Sequence, residues 1–155
     1  MSDSTSDADA IRDLLVAYCW HMDRGEFAEL GALFAHASVG DGAAPDTLRL
    51  AGADAIAALY RDRCILYADG TPRTKHVCTN AIVEIDGDGE HATTRSYFLV
   101  EQQLDDFPLQ PIVGGRYHDR FERVDGRWRF SERRFFVDLV GDVSRHQRVG
   151  LHGQA

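Results

Sequence analysis

The sequence predicts an α+β fold in which helices come first and a long antiparallel sheet follows. Up to about residue 67, apolar residues recur with the spacing of amphipathic helices, and from Thr74 onward the spacing changes to two. Asp and Gly residues at positions 86–89 and 125–126 separate strand-like segments and predict hairpin turns. This order of elements favours an α+β domain over a series of βαβ units.

The first helical stretch, Ile11 to Phe34, contains the residue around which the site is predicted. Ile11, Leu15 and Cys19 are spaced four apart and therefore form a row on one helix face, and Asp23 is the next member of that row. A buried charge is costly unless it is paired. Two interpretations remain open: Asp23 caps the bend at Gly25, or it orients a partner side chain inside a pocket.

The helical half continues with a second, shorter helix after Gly25 and a third from about Asp54 to Tyr67. Asp7 or Asp9 is the expected N-cap of the first helix. A Gly-, Ala-, Asp- and Pro-rich stretch at residues 36–50 is interpreted as a loop with one or two short strands. We expect one domain over residues 9–140, a disordered N-terminus at residues 1–8, and a polar C-terminal tail at residues 141–155.

The sheet half is predicted as two hairpins. The first pairs Thr74–Ile85 with His91–Gln103, and the second pairs Gly114–Val124 with Arg127–Asp138. Residues 104–111, with two prolines, are expected to form a loop between them.

A two-residue turn at 125–126 sets Tyr117 opposite Arg134 and Phe121 opposite Phe130. It also places Asp119 and Glu132 on the aromatic, core-facing side, as a structural ion pair or at the border of a polar cavity. Arg134 on that side is the candidate to bind a carbonyl or stabilise an anion.

The first strand supplies the candidate base. His76 and Asn80 share one face, and a strand histidine is either a satisfied core residue or, with a carboxylate and a phenol nearby, a general base. Asp23 is the candidate carboxylate and Tyr18, one turn earlier, the candidate phenol. The returning strand adds either Arg95 and Tyr97 or Ser96 and Phe98 to the site, and the turn does not decide between the two registers.

Composition excludes several classes of partner. The net charge of −8 argues against binding a nucleic-acid backbone or an anionic membrane, and no apolar run reaches the ~20 residues of a membrane span. The three widely spaced cysteines suggest buried thiols in a reducing cytoplasm. No common metal or nucleotide motif is present, so neither a metal site nor another cofactor is expected.

Several segments resemble SnoaL-like proteins of the nuclear transport factor 2-like superfamily. They are AIRDLLVAYCWHMDRGEFAELGALF, KHVCTN, RSYFLV and GRYHDRFERVDGRWRFSERR, within a likeness that spans about Asp9 to Asp138. The resemblance implies a cone-shaped roll: a curved antiparallel sheet around a pocket that the N-terminal helices close, often in a homodimer or a larger homo-oligomer.

The pattern is most similar to the dehydratase and dehydrochlorinase branch, which includes scytalone dehydratase and bile-acid 7α-dehydratase. In that branch a strand histidine, oriented by an aspartate of the first helix, is the base of an elimination; His76 and Asp23 match these positions. Tyr18 and Arg134 match a phenol and an arginine that some members carry. A second pocket histidine, present in scytalone dehydratase, is not found in the predicted strands, where His91 lies at a turn and His118 on the wet face.

Two functions follow from the resemblance. The first is a cofactor-independent lyase or isomerase acting on a small hydrophobic cyclic carbonyl compound. The second is a non-catalytic ligand-binding or accessory domain, like the small subunit of a ring-hydroxylating dioxygenase. The residues expected to contact the substrate are Asn80, Tyr97, Phe98, Tyr117, Trp128 and Phe130.

Overall fold

The structure is a computed structural model that describes residues 6–44 and 49–148. Its helices are α1 (Asp7–Arg24), α2 (Phe27–Leu33) and α3 (Ala53–Arg63). The N-cap of helix α1 is Ser6 and not Asp7 or Asp9, because the side chain of Ser6 accepts the backbone N–H of Asp9. Residues 6–8, predicted as disordered, are therefore ordered, and residues 1–5 lie outside the described residues.

The end of α3 also differs from the prediction. The helix stops at Arg63 rather than near Tyr67, because Cys64 adopts an extended conformation and forms a bridge with Gln147. A residue from the far end of the chain thus competes with the helical hydrogen bonds that the local pattern favours.

The strands form one six-stranded sheet in the order β2-β1-β6-β5-β4-β3. Their bounds are β1 (Ser38–Asp41), β2 (Arg49–Ala51), β3 (Thr74–Ile85), β4 (His91–Leu104), β5 (Phe107–Val124) and β6 (Arg127–Val140). All neighbours are antiparallel except β1 and β6, which are parallel. The α+β class, the two short strands before α3 and both predicted hairpins are confirmed.

The predicted loop at 104–111 is wrong, because β4 and β5 form a hairpin that turns at residues 105–106, with Leu104 paired to Phe107. Pro111 pairs with Glu101 where the register shifts by one residue. Since proline cannot donate to a ladder, a bulge is one of the few places in a sheet that accepts it.

A second register shift changes the face of β6. Phe121 pairs with Phe130, as predicted, but Arg120 pairs with Glu132, so Ser131 is an additional residue in β6. Because side chains alternate along a strand, one extra residue exchanges the two faces of everything that follows.

The exchange corrects the prediction for Arg134. Arg133 is 1% exposed and pairs across the strands with Asp119, whereas the side chain of Arg134 is 43% exposed. Tyr117 pairs with Phe135 and not with Arg134. The buried ion pair is therefore Asp119–Arg133, and Glu132 bonds Arg134 on the other face.

The core lies between α1, α2 and the inner face of the sheet. Its members include Ile11, Leu15, Tyr18, Met22, Leu30, Phe34, Val39, Phe121 and Phe130. Residues 143–148, which we call the C-terminal segment, also pack onto the fold, since Val143 and His146 are each 3% exposed. The polar tail expected over residues 141–155 thus contains two residues that pack onto the fold, and residues 149–155 lie outside the described residues.

Candidate active site

Asp23 lies in the last turn of α1, next in the row after three buried side chains, Ile11, Leu15 and Cys19. Gly25 ends the helix in the left-handed conformation, φ 69°, and its backbone N–H reaches the carbonyls of the last turn. The Asp23 carboxylate plays no part in that cap, because its partners are on β3. The interpretation that Asp23 caps the bend is therefore wrong.

Three donors of β3 surround the Asp23 carboxylate. Oδ1 lies 2.7 Å from Nδ1 of His76 and accepts the hydroxyl of Thr74 at 2.9 Å, and Oδ2 accepts the backbone N–H of His76 at 2.8 Å. The side chains of Asp23 and His76 are only 10% and 5% exposed. The contact expected between the two residues is present, and it fixes both the position and the rotation of the imidazole.

Protonation of this pair follows from the same contacts. Burial alone would raise the pKa of Asp23, but the hydrogen bonds from the His76 ring, its backbone N–H and Thr74 outweigh that effect and lower the pKa. An ionised carboxylate only accepts, so Nδ1–H of His76 is the donor to Asp23. In the neutral form of the ring, the lone pair is then on Nε2, the nitrogen that does not contact Asp23.

His76 lines a cavity of about 110 Å³ between α1, α3, the sheet and the C-terminal segment. The wall is mostly apolar and aromatic. It includes Tyr18, Met22, Leu59, Tyr60, Phe98, Val100, Val113, Tyr117, Phe135 and His146. The engineered apolar cavity that accepts benzene in another protein measures about 150 Å³, so this cavity suits a small ring compound that extends towards its opening.

Two phenols form a polar group in this wall. The hydroxyls of Tyr18 and Tyr60 lie 3.2 Å apart, and the ring of Tyr18 meets that of His76 edge to face at 6.3 Å. Burial raises the pKa of both phenols. Both stay protonated at neutral pH and keep an O–H that can donate to a ligand oxygen.

The buried guanidinium of Arg133 lies against the same aromatic wall. Its Cζ is 4.3 Å from the ring centre of Tyr18 and 4.0 Å from that of Tyr117, and its Nε and Nη2 donate to Asp119 at 2.8 and 2.7 Å. The positive charge opposes the rise in the Tyr18 pKa that burial causes. Arg133 therefore packs against the rings of Tyr18 and Tyr117, which line the cavity, and is not itself one of the lining residues.

The sequence profile of the SnoaL-like domain family matches residues 3–134. The chain belongs to the SnoaL-like domain family. No protein of curated function matches it significantly in sequence.

Three solved structures show how widely this fold recurs. A protein named "Putative Scytalone Dehydratase" from Novosphingobium aromaticivorans is 24% identical, with a TM-score of 0.67 over 88% of this chain and 87% of that one. An NTF2-like protein with a cystatin-like fold from the same organism is 24% identical, with a TM-score of 0.69 over 90% and 86%. ActVI-ORFA from Streptomyces coelicolor is 18% identical, with a TM-score of 0.69 over 86% and 98%. These likenesses establish the NTF2-like fold of the SnoaL-like domain.

The predicted contact residues divide into two groups in this SnoaL-like domain. Phe98 and Tyr117 line the cavity, and their rings stack with centres 4.5 Å apart. Ser96 and Phe98 face inward, so the open choice of register on β4 is settled in their favour. Tyr97 is 53% exposed, on the other face. Asn80 is exposed, with φ 54°, at a bulge of β3 between Thr79 and Ile82.

Trp128 and Phe130 face inward as predicted but do not line the cavity. The indole of Trp128 donates to Asp7 at 3.0 Å, near the start of α1, and Phe130 packs between Phe34 and Phe121. Arg134 also lies away from the cavity. Trp128 and Phe130 thus belong to the core, and Arg134 lies on the outer face of the sheet.

The cavity residues that the sequence analysis missed include Tyr60 and His146. Tyr60 could have been found, because it lies on the apolar row of α3 with Ile56. His146 could not, because no periodic pattern surrounds it and its position depends on contacts with residues 63–67 and 102. It is a second pocket histidine, but it comes from the C-terminal segment and not from a strand.

Contact with a carboxylate does not by itself distinguish His76. His91 bonds Asp88 at 2.8 Å, but those side chains are 59% and 51% exposed and lie at the β3–β4 turn. What distinguishes the His76–Asp23 pair is its burial beside a cavity. Among the residues that the structure describes, there is no cluster of three or more metal-ligand side chains, and none of their helices has the length and apolarity of a membrane span.

Proposed function

We propose that this SnoaL-like domain is a cofactor-independent lyase or isomerase whose general base is His76. The observation that carries the proposal is the buried 2.7 Å contact between Nδ1 of His76 and Asp23, at a histidine that lines the cavity. With the Nδ1–H bound to Asp23, the neutral ring has its lone pair on Nε2. A carboxylate in this position also stabilises the imidazolium that forms when the base takes a proton.

In the proposed reaction, Nε2 of His76 removes a proton from the carbon next to a carbonyl group. The electron pair of the C–H bond forms a C=C bond while the carbonyl oxygen becomes negative. The hydroxyls of Tyr18 and Tyr60 donate to that oxygen, and their fixed orientation in a dry wall makes such donors effective.

The second half of the reaction decides the product class. In an elimination, the enolate re-forms the carbonyl and its C=C electron pair forms a new double bond between the α- and β-carbons. The bond to a β-hydroxyl breaks, and the hydroxyl leaves as water with the proton that His76 returns. In an isomerisation, the ketone carries a β,γ C=C bond, the same proton returns to the γ-carbon, and the double bond moves into conjugation with the carbonyl. Neither course consumes an oxidant, a reductant or a further reactant.

The substrate that suits the cavity is a small hydrophobic ring compound with a carbonyl group. The stacked rings of Phe98 and Tyr117 offer a flat apolar wall, the buried phenols of Tyr18 and Tyr60 are neutral donors, and Arg63 also lies among the lining residues. The name of the first fold relative above points to the same reaction class. We propose that the enzyme works in the cytoplasm as a homodimer or larger homo-oligomer.

The test uses two ring ketones of matching size. Exchange of the α-protons of cyclohexanone in D2O measures proton removal by NMR, and conversion of 3-hydroxycyclohexanone to 2-cyclohexenone measures elimination by ultraviolet absorbance. His76→Ala should lower both rates about 10²–10⁴-fold. His91→Ala, which removes the exposed histidine of the other His–Asp pair, is the matched control and should leave them unchanged. Full activity in the His76→Ala protein would refute the proposed base.

The second candidate is a ligand-binding domain without catalysis, for which the stacked Phe98–Tyr117 wall alone is sufficient. It predicts that cyclohexanone binds but that its α-protons exchange no faster than in buffer. It also predicts that His76→Ala leaves affinity unchanged.

A further inference from the structure

Two of the three cysteines lie on the two elements that the Asp23–His76 contact joins. On α1, Cys19 is four residues before Asp23 and therefore lies on the same helix face, about 6 Å along the axis. On β3, Cys78 is two residues after His76 and lies on the same strand face, about 6–7 Å further along. The two cysteines are thus displaced by nearly equal lengths from one fixed contact, whose Nδ1–Oδ1 distance is 2.7 Å.

Both displacements point in the same direction, because α1 runs antiparallel to β3. At the start of α1, Asp7 accepts the indole N–H of Trp128, next to the β5–β6 turn. The end of β3 reaches this same end of the sheet, since Ile85 pairs with Ala92, and Ala92 pairs with Phe121. The packing of α1 on β3 therefore brings together two cysteines that are far apart in the sequence.

The side chains of this cysteine pair are in contact in the core. Cys19 is 8% exposed, and Cys78 is half-buried, with its Sγ 3.5 Å from the hydroxyl oxygen of Ser96. A hydrogen bond from the thiol of Cys19 lowers the pKa of Cys78, although burial opposes it, and raises the pKa of Cys19. The third cysteine, Cys64, is buried at the end of α3, where it bridges to Gln147.

We propose that Cys19 and Cys78 are an oxidative modification site, at which a hydroperoxide forms a reversible disulfide between α1 and β3. Two thiols in contact, one of them half-buried and within reach of a small oxidant, are what such a site requires. Disulfides of this kind in a reducing compartment are transient and respond to the oxidant. The site is separate from the cavity and does not depend on the proposed base.

The reaction has two steps, written here for hydrogen peroxide. The thiolate of Cys78 attacks one peroxide oxygen, the O–O bond breaks, and the other oxygen leaves as water with the proton that Cys78 gave up, so that Cys78 becomes a sulfenic acid. The thiol of Cys19 then attacks this sulfur, and the sulfenic hydroxyl leaves as a second water with the proton of Cys19. The two thiols lose two electrons in total, and the peroxide gains them.

The disulfide would act on the neighbouring His76–Asp23 contact. An S–S bond is about 2.05 Å long, so it draws the two sulfurs closer than any non-bonded contact does. Helix α1 and strand β3 must then shift against each other one turn from Asp23 and two residues from His76. The ¹⁵N signals of the His76 ring should report this shift, whether or not His76 acts as a base.

The test treats the whole chain with hydrogen peroxide, alkylates the remaining thiols and digests the protein with trypsin without a reducing agent. Cleavage after Lys and Arg places the three cysteines in separate peptides, residues 13–24, 64–73 and 76–95. Peroxide should join peptides 13–24 and 76–95 with the loss of two hydrogen atoms, and dithiothreitol should separate them. The oxidised chain should remain a monomer on a denaturing gel. Cys64→Ser is the matched control and should give the same linked peptide.

Two variants test the order of the steps. Cys19→Ser should accumulate a sulfenic acid at Cys78, which dimedone traps, while Cys78→Ser should give neither the linked peptide nor a dimedone adduct at Cys19. In the unsubstituted protein the ¹⁵N signals of His76 should move with peroxide and return with dithiothreitol, and in Cys78→Ser they should stay in place. The proposal is overturned if peroxide leaves peptides 13–24 and 76–95 unlinked, if either is joined to 64–73 instead, or if the link forms only between two chains.

Discussion

Replacing Asp23 with asparagine changes one oxygen to an NH2 group and should reverse the tautomer of His76. The backbone N–H of His76, 2.8 Å from Oδ2, can only donate, so the amide oxygen of the Asp23→Asn side chain must face it. The NH2 group then faces Nδ1 of His76, which must become the acceptor. The ring proton moves to Nε2, and the lone pair that we propose as the base is lost, while the hydroxyl of Thr74 can rotate to accept.

The expected loss in rate follows from the free-energy cost of the opposite orientation of the Asp23→Asn amide. Restoring the active tautomer would turn the amide NH2 towards the backbone N–H and leave two buried donors unpaired, at about 1–3 kcal/mol each. The total of about 2–6 kcal/mol corresponds to a loss in rate of roughly 30-fold to 10⁴-fold at about 1.4 kcal/mol per factor of ten. A similar substitution in the serine-protease triad, where the wrong tautomer also forms, costs about 10⁴-fold.

The assay is α-proton exchange of cyclohexanone in D2O, together with the ¹⁵N spectrum of the His76 ring and a thermal melt to verify folding. We expect an intact fold, the proton on Nε2, and the rate loss calculated above. Asp88→Asn, at the exposed His91 pair, should change neither rate nor melting temperature. A rate within about threefold of the unsubstituted protein, or a proton that stays on Nδ1, would refute this reasoning.

Three further predictions concern stability. Arg133→Met should lower the free energy of unfolding, measured in urea, by about 3–5 kcal/mol, because it leaves a buried carboxylate unpaired. Arg134→Met, at a half-exposed side chain, should lower it by only about 0–1 kcal/mol. Equal effects would contradict the assignment of the buried arginine. Because the pKa of His146 falls from 6.5 to about 4 on folding, the unfolded chain binds the proton first. The contribution of neutral His146 to the free energy of unfolding is thus complete above pH 6.5 and is lost towards pH 4, a change of roughly 3 kcal/mol. The free energy of unfolding of the His146→Leu protein should therefore depend less steeply on pH between those values. Gly31→Ala should cost about 1–3 kcal/mol because a Cβ there would collide with the backbone of α3, while Gly87→Ala, with nothing within 4 Å of the added atom, should be neutral in the same urea assay.

Local patterns were sufficient for the elements and for the centre of the site. The spacing of Ile11, Leu15 and Cys19 fixes which face of α1 is buried, and it therefore carries Asp23 to the sheet. The period of two identifies β3 and the face on which His76 lies, and the Asp-Gly turn at 125–126 sets the pairing of Phe121 with Phe130. Each of these depends on residues within a few positions of one another, which sequence periodicity records directly.

Only the tertiary structure showed two features of the site: which face of β6 is buried, and which distant segment of the chain reaches the cavity. One additional residue, Ser131, moved Arg133 into the core and Arg134 out of it, and nothing in the alternating pattern marks the bulge. His146 reaches the cavity only because residues 143–148 pair with the chain after α3, more than seventy residues earlier in the sequence. The sequence determined the pair of His76 and Asp23, since both lie in regular elements. The other groups around that pair depend on register and on long-range contacts, whose energies are set by the packed fold and leave no periodic signal in the chain.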